Sequence, residues 1–186
     1  MRKLKLQMQV SIDGYVAGPN GEMDWMQWNW DDGIKEFVQQ LTESVDTIIM
    51  GKNLAIGFIP HWTAALQKPE TNDAFTRKMV EIPKVVFTKT IENNPWDNTQ
   101  LAKGALKEEI GKLKNQEGKK DLITYGGATL AGALIAEQLI DDLYLFVNPT
   151  AIGNGMRIFN GQTNLVLQET FSFACGIVVL HYSPKP

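Results

Sequence analysis

The fold class is decided by one stretch of the chain, DLITYGGATL at residues 121–130. Its first five residues form a short apolar run that is typical of a buried strand. Two glycines follow, and then Leu130, Leu134 and Ile135 recur at the spacing of one helical face. The stretch therefore predicts a strand, a tight turn and a helix in direct succession.

The same succession recurs along most of the chain. Further strands are predicted at 4–10, 47–50 and 84–87, and further helices at 34–41, 73–81 and 106–113. Gly51 ends the second strand, and Asn53 is predicted to cap the helix that follows it. Strands that alternate with helices imply parallel strands joined by right-handed crossovers.

The C-terminal part departs from this alternation. Strands predicted at 143–147, 165–173 and 177–182 have no helix between them, and Ala174-Cys175-Gly176 is short enough for a hairpin turn. The sequence thus predicts an α/β fold of three layers, with a mostly parallel mixed central sheet and an antiparallel C-terminal edge. Nothing in the composition divides the chain, so residues 1–186 are expected to form a single domain.

Composition argues against several classes of function. The 18 Lys and Arg residues are spread along the chain, whereas a nucleic-acid binder carries a clustered basic face. The densest basic group, Lys112, Lys114, Lys119 and Lys120, is interpreted as a solvated helix end. No apolar run approaches the roughly 20 residues that span a bilayer, so we expect a cytoplasmic protein without membrane contact. A single cysteine and two distant histidines predict no metal site.

Three turns could bind a ligand, because each follows a predicted strand. They are MGKN at 50–53, FTKT at 87–90 and YGGAT at 125–129. In a parallel sheet, ligands collect at the carboxyl ends of the strands, where glycines, hydroxyl groups and ammonium groups suit phosphates. Each turn alone more often marks only a tight turn, but the three together predict a dinucleotide site. The standard Rossmann, phosphate-loop and serine-hydrolase spacings are absent.

One ordered set of motifs runs through nearly the whole chain. It consists of SIDGYVAG at 11–18 with Trp25, IIMGK at 48–52, KVVFTKT at 84–90, GGATL at 126–130, and LIDDLYLFVNP at 139–149 leading to GNG at 153–155 and Phe159. In this order the motifs resemble the dihydrofolate reductase superfamily. The resemblance is greatest to the branch that contains the reductase domain of bacterial riboflavin biosynthesis.

The resemblance implies a dihydrofolate reductase-like fold and a reductase that uses NADPH. Hydride would pass to a C=N or C=O carbon of a small heteroaromatic substrate, pterin-like or pyrimidine-like, or of a carbonyl compound. The implied cofactor contacts are Gly51, Lys52 and Asn53 near the phosphates, Thr88 and Lys89 near the 2′-phosphate, Gly126, Gly127, Ala128 and Thr129 along the pyrophosphate, and Val16, Ala17 and Gly18 in a mobile loop that closes over the nicotinamide.

Four residues are the implied catalytic candidates: Asp32 first, Asp31 second, and Asp13 and Trp25 from the mobile loop. In pterin-reducing members of the superfamily, an acid near the position of Asp32 hydrogen-bonds the heterocycle. The two adjacent acids could equally cap the first helix. Trp25 could stack on a flat ring together with Trp28 and Trp30, or the three could pack the loop onto the sheet.

Two departures from the superfamily pattern argue against folate as the substrate. Lys52 and Leu54 stand where the superfamily has an arginine and a threonine, and Phe146 stands where pterin reducers usually carry a hydroxyl group. A different heterocycle or carbonyl compound is expected. An alternative is a catalytically silent NADP(H)-binding protein that acts as a sensor or as an oligomeric binding module. In either case the chain is expected to form a homodimer.

Overall fold

The computed structural model describes residues 1–118 and 120–185. Lys119, which belongs to the predicted basic group, and Pro186, the last residue of the predicted domain, lie outside the described residues. The elements in chain order are β1 (Leu4–Ser11), α1 (Asp32–Glu43), β2 (Val45–Gly51), α2 (Lys52–Leu66), α3 (Ala74–Glu81), β3 (Lys84–Phe87), β4 (Thr99–Ala102), α4 (Leu106–Asn115), β5 (Asp121–Thr124), α5 (Ala128–Ala136), β6 (Asp142–Asn148), β7 (Leu165–Ser172) and β8 (Val178–Pro184).

The strands form one eight-stranded sheet in the order β4-β3-β2-β5-β1-β6-β8-β7. Every neighbouring pair from β4 to β6 is parallel, and the pairs β6–β8 and β8–β7 are antiparallel. The hairpin between β7 and β8 turns at Gly176, whose φ of 90° suits glycine. The prediction of a mostly parallel mixed sheet with an antiparallel C-terminal edge is therefore confirmed.

Helices cover both faces of the sheet and complete the three layers. Leu41 of α1, Ile59 of α2 and Met79 of α3 share one buried cluster with β2. Ile110 of α4 and Leu134 of α5 belong to a second cluster, which includes the apolar residues of β1. A third cluster joins Ile34 and Val38 of α1 to Phe146 of β6. Because α5 packs on the opposite face from α1 and α2, both faces of the sheet carry a core.

The structure differs from the sequence-based predictions at three points. β4 was not predicted, because Thr99 and Gln100 break the apolar pattern of this half-exposed strand. Asn53 lies inside the first turn of α2, whose N-cap is Gly51, so Asn53 is not the cap. The apolar neighbours of Cys175 in the sequence suggest a buried strand position, but the residue is half-buried in the hairpin turn.

A cluster of polar contacts around the buried Asp142 ties Lys3, the residue before β1, to the C-terminal strands. The Asp142 carboxylate accepts hydrogen bonds from Lys3 Nζ at 3.0 Å and from His181 Nε2 at 2.9 Å. Burial by itself raises the pKa of Asp142, but the hydrogen bonds from His181 and Lys3 outweigh it and hold the pKa below its usual value of 3.8. The cluster therefore stabilises the fold only while Asp142 is ionised.

We expect the fold to lose stability in acid through this carboxylate. A group with a lowered folded pKa contributes stability above its unfolded pKa, about 3.9 for Asp, and loses that contribution as the pH falls through the folded pKa. Asp142→Asn should therefore be less stable at neutral pH, yet lose less free energy of unfolding between about pH 4 and pH 2. Urea unfolding across this range measures the effect, with the exposed Asp97→Asn as control. Equal acid sensitivity of Asp142→Asn and the wild type would contradict the prediction.

Candidate active site

The carboxyl ends of the parallel strands open onto one large cleft with a volume of about 980 Å³. β5 lies between β2 and β1, and the helix after β5 packs on the opposite face from the helices after β1 and β2. The cleft lies where these connections change direction. Ligands of open α/β sheets usually bind at such a point.

Two helices begin side by side at this cleft, α2 and α5. Their N-caps are Gly51 and Gly127, so neither cap has a side chain that could accept from the first backbone N–H groups. A Cβ added to Gly51 would lie 3.6 Å from Leu130 Cβ of α5, and one added to Gly127 would lie 3.8 Å from Leu54 Cβ of α2. The two first turns thus present their N–H groups to the same space, which favours an anion there.

The turn after β5 needs glycine for its backbone. Gly126 has a φ of 120° and Gly127 has a φ of 82°, which residues with a side chain rarely adopt. A Cβ at Gly126 would also lie 3.1 Å from Met8 Sδ. Gly126 therefore shapes the turn and lies against Met8 of β1, while Gly127 itself lines the cleft.

The turn after β3 adds the ammonium group of Lys89 to that of Lys52, which begins α2. Thr88 is buried, and its Oγ1 accepts from the backbone N–H groups of Thr90 at 3.2 Å and Ile91 at 3.1 Å. Thr90 Oγ1 in turn accepts from Lys52 Nζ at 2.9 Å. The hydroxyl of Thr88 thus holds the turn in shape. Lys52 and Lys89 both line the cleft, and Lys52 is bonded to the turn that carries Lys89.

The structure brings most of the predicted cofactor residues together. Those that line the cleft are Val16, Ala17, Gly51, Lys52, Asn53, Thr88, Lys89, Gly127, Ala128 and Thr129. Gly18 and Gly126 do not line it. The N–H group of Gly18 donates to Glu22 O at 2.8 Å, so this glycine belongs to a turn of the loop.

The acids proposed for catalysis do not line the cleft. Asp31 is the N-cap of α1: its Oδ1 accepts from Ile34 N at 3.0 Å and its Oδ2 from Cys175 N at 2.8 Å. These backbone hydrogen bonds lower the pKa of Asp31. Asp32 points into solvent and pairs with Lys35 at 3.3 Å. Capping by Asp31 and exposure of Asp32 correct the expectation that either acid faces a substrate.

Asp13 fixes the loop rather than lining the cleft. Its carboxylate accepts from Ser11 Oγ at 2.6 Å, from Ile152 N at 3.2 Å and from Gly153 N at 2.7 Å. The hydrogen bonds from Ser11, Gly153 and Ile152 lower its pKa. Asp13 therefore ties the start of the loop to the segment after β6.

Among the tryptophans of the loop, Trp28 and not Trp25 lines the cleft. Trp25 Nε1 donates to Glu22 O at 3.2 Å and so closes a local turn. The Trp28 side chain is exposed at the cleft and stacks on Trp30 with ring centroids 6.1 Å apart. Trp25, the expected stacking candidate, is therefore not among the residues that line the cleft, whereas Trp28 is.

Several lining residues were not predicted. They are Met8, Gln9, Met23, Met26 and Met156, among others, whereas Tyr125 also lines the cleft and belongs to the predicted turn at 125–129. The alternation of β1 could have pointed to Gln9, since it puts this polar side chain on an otherwise buried strand. Tyr125 stacks on Phe58, and burial raises the pKa of its hydroxyl group to about 12, so the group is protonated at neutral pH.

The described residues contain neither a metal site nor a helix that could span a membrane. In residues 1–118 and 120–185, no three His, Cys, Asp or Glu side chains are grouped so that they could hold a metal ion. None of the helices in this part of the chain has the length and apolarity that crossing a membrane requires.

The chain has relatives of its own size and a longer one. It is 30% identical over 185 residues to the uncharacterized protein YyaP of Bacillus subtilis (strain 168), covering 97% of this chain and 94% of that protein. It is 22% identical over 153 residues to the riboflavin biosynthesis protein RibD of Corynebacterium ammoniagenes, covering 82% of this chain but only 44% of that protein.

Solved structures share the fold. The putative riboflavin biosynthesis protein of Shewanella sp. PV-4 superposes with a TM-score of 0.73 at 23% identity, and the match covers both chains completely. A diaminohydroxyphosphoribosylaminopyrimidine deaminase/5-amino-6-(5-phosphoribosylamino)uracil reductase of Thermotoga maritima gives a TM-score of 0.68 at 15% identity, covering 99% of this chain and 57% of that one. These likenesses concern the fold alone.

A family-level match covers almost the same span as the ordered motifs. Residues 2–179 match the family described as the RibD C-terminal domain, whose fold is dihydrofolate reductase-like. The match confirms the resemblance drawn from the motifs and supports a reductase-like role. The chain belongs to the RibD C-terminal domain family.

Proposed function

We propose that this protein is an NADPH-dependent reductase of a small heteroaromatic or carbonyl compound. One observation carries the proposal: the N-termini of α2 and α5 meet at one cleft together with Lys52 and Lys89. Backbone N–H groups and ammonium groups are the partners that phosphates require. The membership of a reductase-like family is consistent with the proposal.

The residues present fit a phosphorylated dinucleotide. The caps Gly51 and Gly127 would let the pyrophosphate approach the backbone, where a Cβ would take up space. Lys89 and Lys52 would hold the 2′-phosphate and so favour NADPH over NADH. When bound, NADPH supplies a hydride. The chain's own task is then to orient the two reactants and to exclude water from them.

The loop after β1 would cover the two reactants and exclude water from them. Val16 N donates to Met156 O, and Met156 N donates to Ala17 O, both at 2.9 Å, so a short antiparallel bridge fixes the loop to Met156 at the cleft wall. Val16 and Ala17 are buried and line the cleft. An apolar cover of this kind excludes water from a hydride path.

A silent NADP(H)-binding protein is the second candidate. The observation that favours it is that Asp13, Asp31 and Asp32 all lie away from the cleft. Saturable NADPH binding without oxidation of NADPH by any pterin, pyrimidine, quinone or aldehyde would support this candidate and contradict the reductase.

Dimerisation and a cytoplasmic location both stay predictions. β7 is an edge strand of the sheet, and Val166 and Leu167 on it are exposed large apolar residues. A second copy of the chain could cover them. Light scattering at several concentrations would detect a homodimer.

NADPH should quench the fluorescence of this protein mainly through Trp28, because this indole lines the cleft. Titration of the wild type should give a saturable loss of emission, and Trp28→Phe should remove most of that loss. Trp96→Phe, which changes a residue outside the cleft lining, serves as control. No saturable change in the wild type up to millimolar NADPH, confirmed by calorimetry, would exclude the proposed cofactor.

Lys89→Gln should separate the two nicotinamide cofactors. Loss of a charged hydrogen bond at a partly solvated site should weaken NADPH binding about tenfold. The affinity for NADH, which lacks the 2′-phosphate, should be unchanged. Lys68→Gln changes an exposed lysine outside the cleft lining and should alter neither affinity. An equal loss of affinity for both cofactors would contradict the proposal that Lys89 binds the 2′-phosphate.

Gly127→Ala should weaken the binding of NADPH and of NADH to the same extent. Alanine at a φ of 82° is strained by about 1 kcal/mol, and relief of the strain would move the first turn of α5. We expect NADPH and NADH affinities to fall about tenfold. Gly153→Ala is a matched control, since its φ is 74°, a Cβ there meets open space and the residue does not line the cleft. Unchanged affinities for Gly127→Ala would contradict a pyrophosphate at this turn.

A further inference from the structure

Gln9 is the one position of β1 that is not buried, and its side chain lines the cleft. β1 pairs with β5 only from Leu4 to Leu6, whereas its pairing with β6 continues to Ser11. The last residues of β1 therefore have a neighbouring strand on one side and the cleft on the other. Gln9 lies at this open edge.

Asn148 fixes which end of the Gln9 carboxamide faces the cleft. Asn148 Oδ1 accepts from Gln27 N at 2.7 Å, and Asn148 Nδ2 donates to Phe146 O at 3.0 Å. Because both partners are backbone groups with a fixed hydrogen-bonding sense, the amide of Asn148 can have only this orientation. Its Nδ2 also donates to Gln9 Oε1 at 2.7 Å. The acceptor end of Gln9 is thereby occupied, and its Nε2 donors remain for the cleft.

One set of residues in the cleft lining is uncharged. It comes from β1, from residues 16–28 and from Met156, and among the described residues it includes Gln9 but no Asp, Glu, Lys or Arg side chain. The charged residues that line the cleft, Lys52, Lys89 and Glu137, come from α2, from the turn after β3 and from the end of α5. A phosphate or carboxylate at the Gln9 end would therefore lack a cation.

The same uncharged set is rich in apolar and polarizable side chains. Four of the seven methionines of the chain, Met8, Met23, Met26 and Met156, line the cleft, and the exposed face of Trp28 adds a flat surface. Methionine adapts to ligands of different outline, and an indole stacks on planar rings. The lining thus fits a flat apolar body with one acceptor atom.

We infer that the substrate is a flat, uncharged compound whose carbonyl oxygen or ring nitrogen accepts a hydrogen bond from Gln9 Nε2, with Asn148 as the positioning residue. The inference rests on the proposed function, which supplies the hydride. The substrate carbon gains that hydride, the π bond to the heteroatom breaks, and the heteroatom takes a proton from water. Gln9 would stabilise the negative charge that develops on the heteroatom.

A matched series of isatins tests the charge of the substrate. Isatin is flat and neutral and carries a reducible ketone, isatin-5-sulfonate adds a charge, and 5-nitroisatin controls for size. Calorimetry with the NADP⁺-loaded protein should give at least tenfold tighter binding of both neutral compounds than of the sulfonate. Only the neutral compounds should be reduced by the NADPH-loaded protein. Equal or tighter binding of the sulfonate, or no binding of isatin, would overturn the inference.

Gln9→Leu tests the donor. Loss of the Nε2 hydrogen bond should weaken isatin binding about tenfold while NADPH affinity stays unchanged. Gln7→Leu is the matched control, because Gln7 lies two residues earlier on the same face of β1, is buried and does not line the cleft. It should leave both affinities unchanged. An unchanged isatin affinity in Gln9→Leu would remove Gln9 from the substrate site.

Asn148→Asp tests the positioning role. A carboxylate cannot donate to Gln9 Oε1, so the Gln9 amide should turn and present Oε1 to the cleft. In the wild type, isatin should shift the NMR signals of the Gln9 Nε2 protons, and in Asn148→Asp that shift should disappear. A persistent shift would contradict the role of Asn148. Intact NADPH quenching combined with failed isatin binding would reject this inference alone, whereas absent NADPH binding would reject the proposed function.

Discussion

The position of β5 is the constraint on which the rest of the structure depends. This four-residue strand is inserted between β2 and β1, with Leu122 in one core and Ile123 in the other. Because it is buried on both faces and paired on both sides, its register is strongly specified. Its short length brings the start of α5 beside the start of α2. It also leaves the last residues of β1 without a partner on one side, so the cleft and both of its ends follow from one strand.

The two ends of the cleft differ in the kind of group that faces the ligand. At the ends of β2, β3 and β5, backbone N–H groups and two ammonium groups create a positive region suited to phosphates. At the end of β1, side chains without charge form the wall, and one amide is held in a fixed orientation by Asn148. A dinucleotide placed at the first end would leave the second end for a molecule that needs no counter-ion.

The sequence predicted those features of the fold and the site that follow from short-range sequence patterns. Strand ends followed by glycine identified the turns at Gly51 and Gly127, because their short-range pattern alone dictates a strand, a turn and a helix. β4 escaped prediction since its pairing with β3 depends on tertiary contacts and not on an apolar pattern. The direction of a side chain in a long loop is equally non-local. Trp25 and Trp28 are three residues apart, and only the hydrogen bonds of the folded loop decide that Trp28 faces the cleft.

The same limit explains why a catalytic role was predicted for Asp31 and Asp13. A carboxylate at the start of a helix has the same sequence pattern whether it faces a ligand or caps the helix, and in this fold Asp31 caps α1 while it also binds the N–H group of Cys175 in the β7–β8 turn. Asp13 similarly holds two N–H groups of the segment after β6. Both carboxylates are committed to backbone donors that would be left unsatisfied if the acids moved. Glu137, the acid that does line the cleft, follows the end of α5 and does not belong to the uncharged lining that includes Gln9. A reduction beside Gln9 would therefore depend on a neutral donor for the developing charge, with the proton arriving from water.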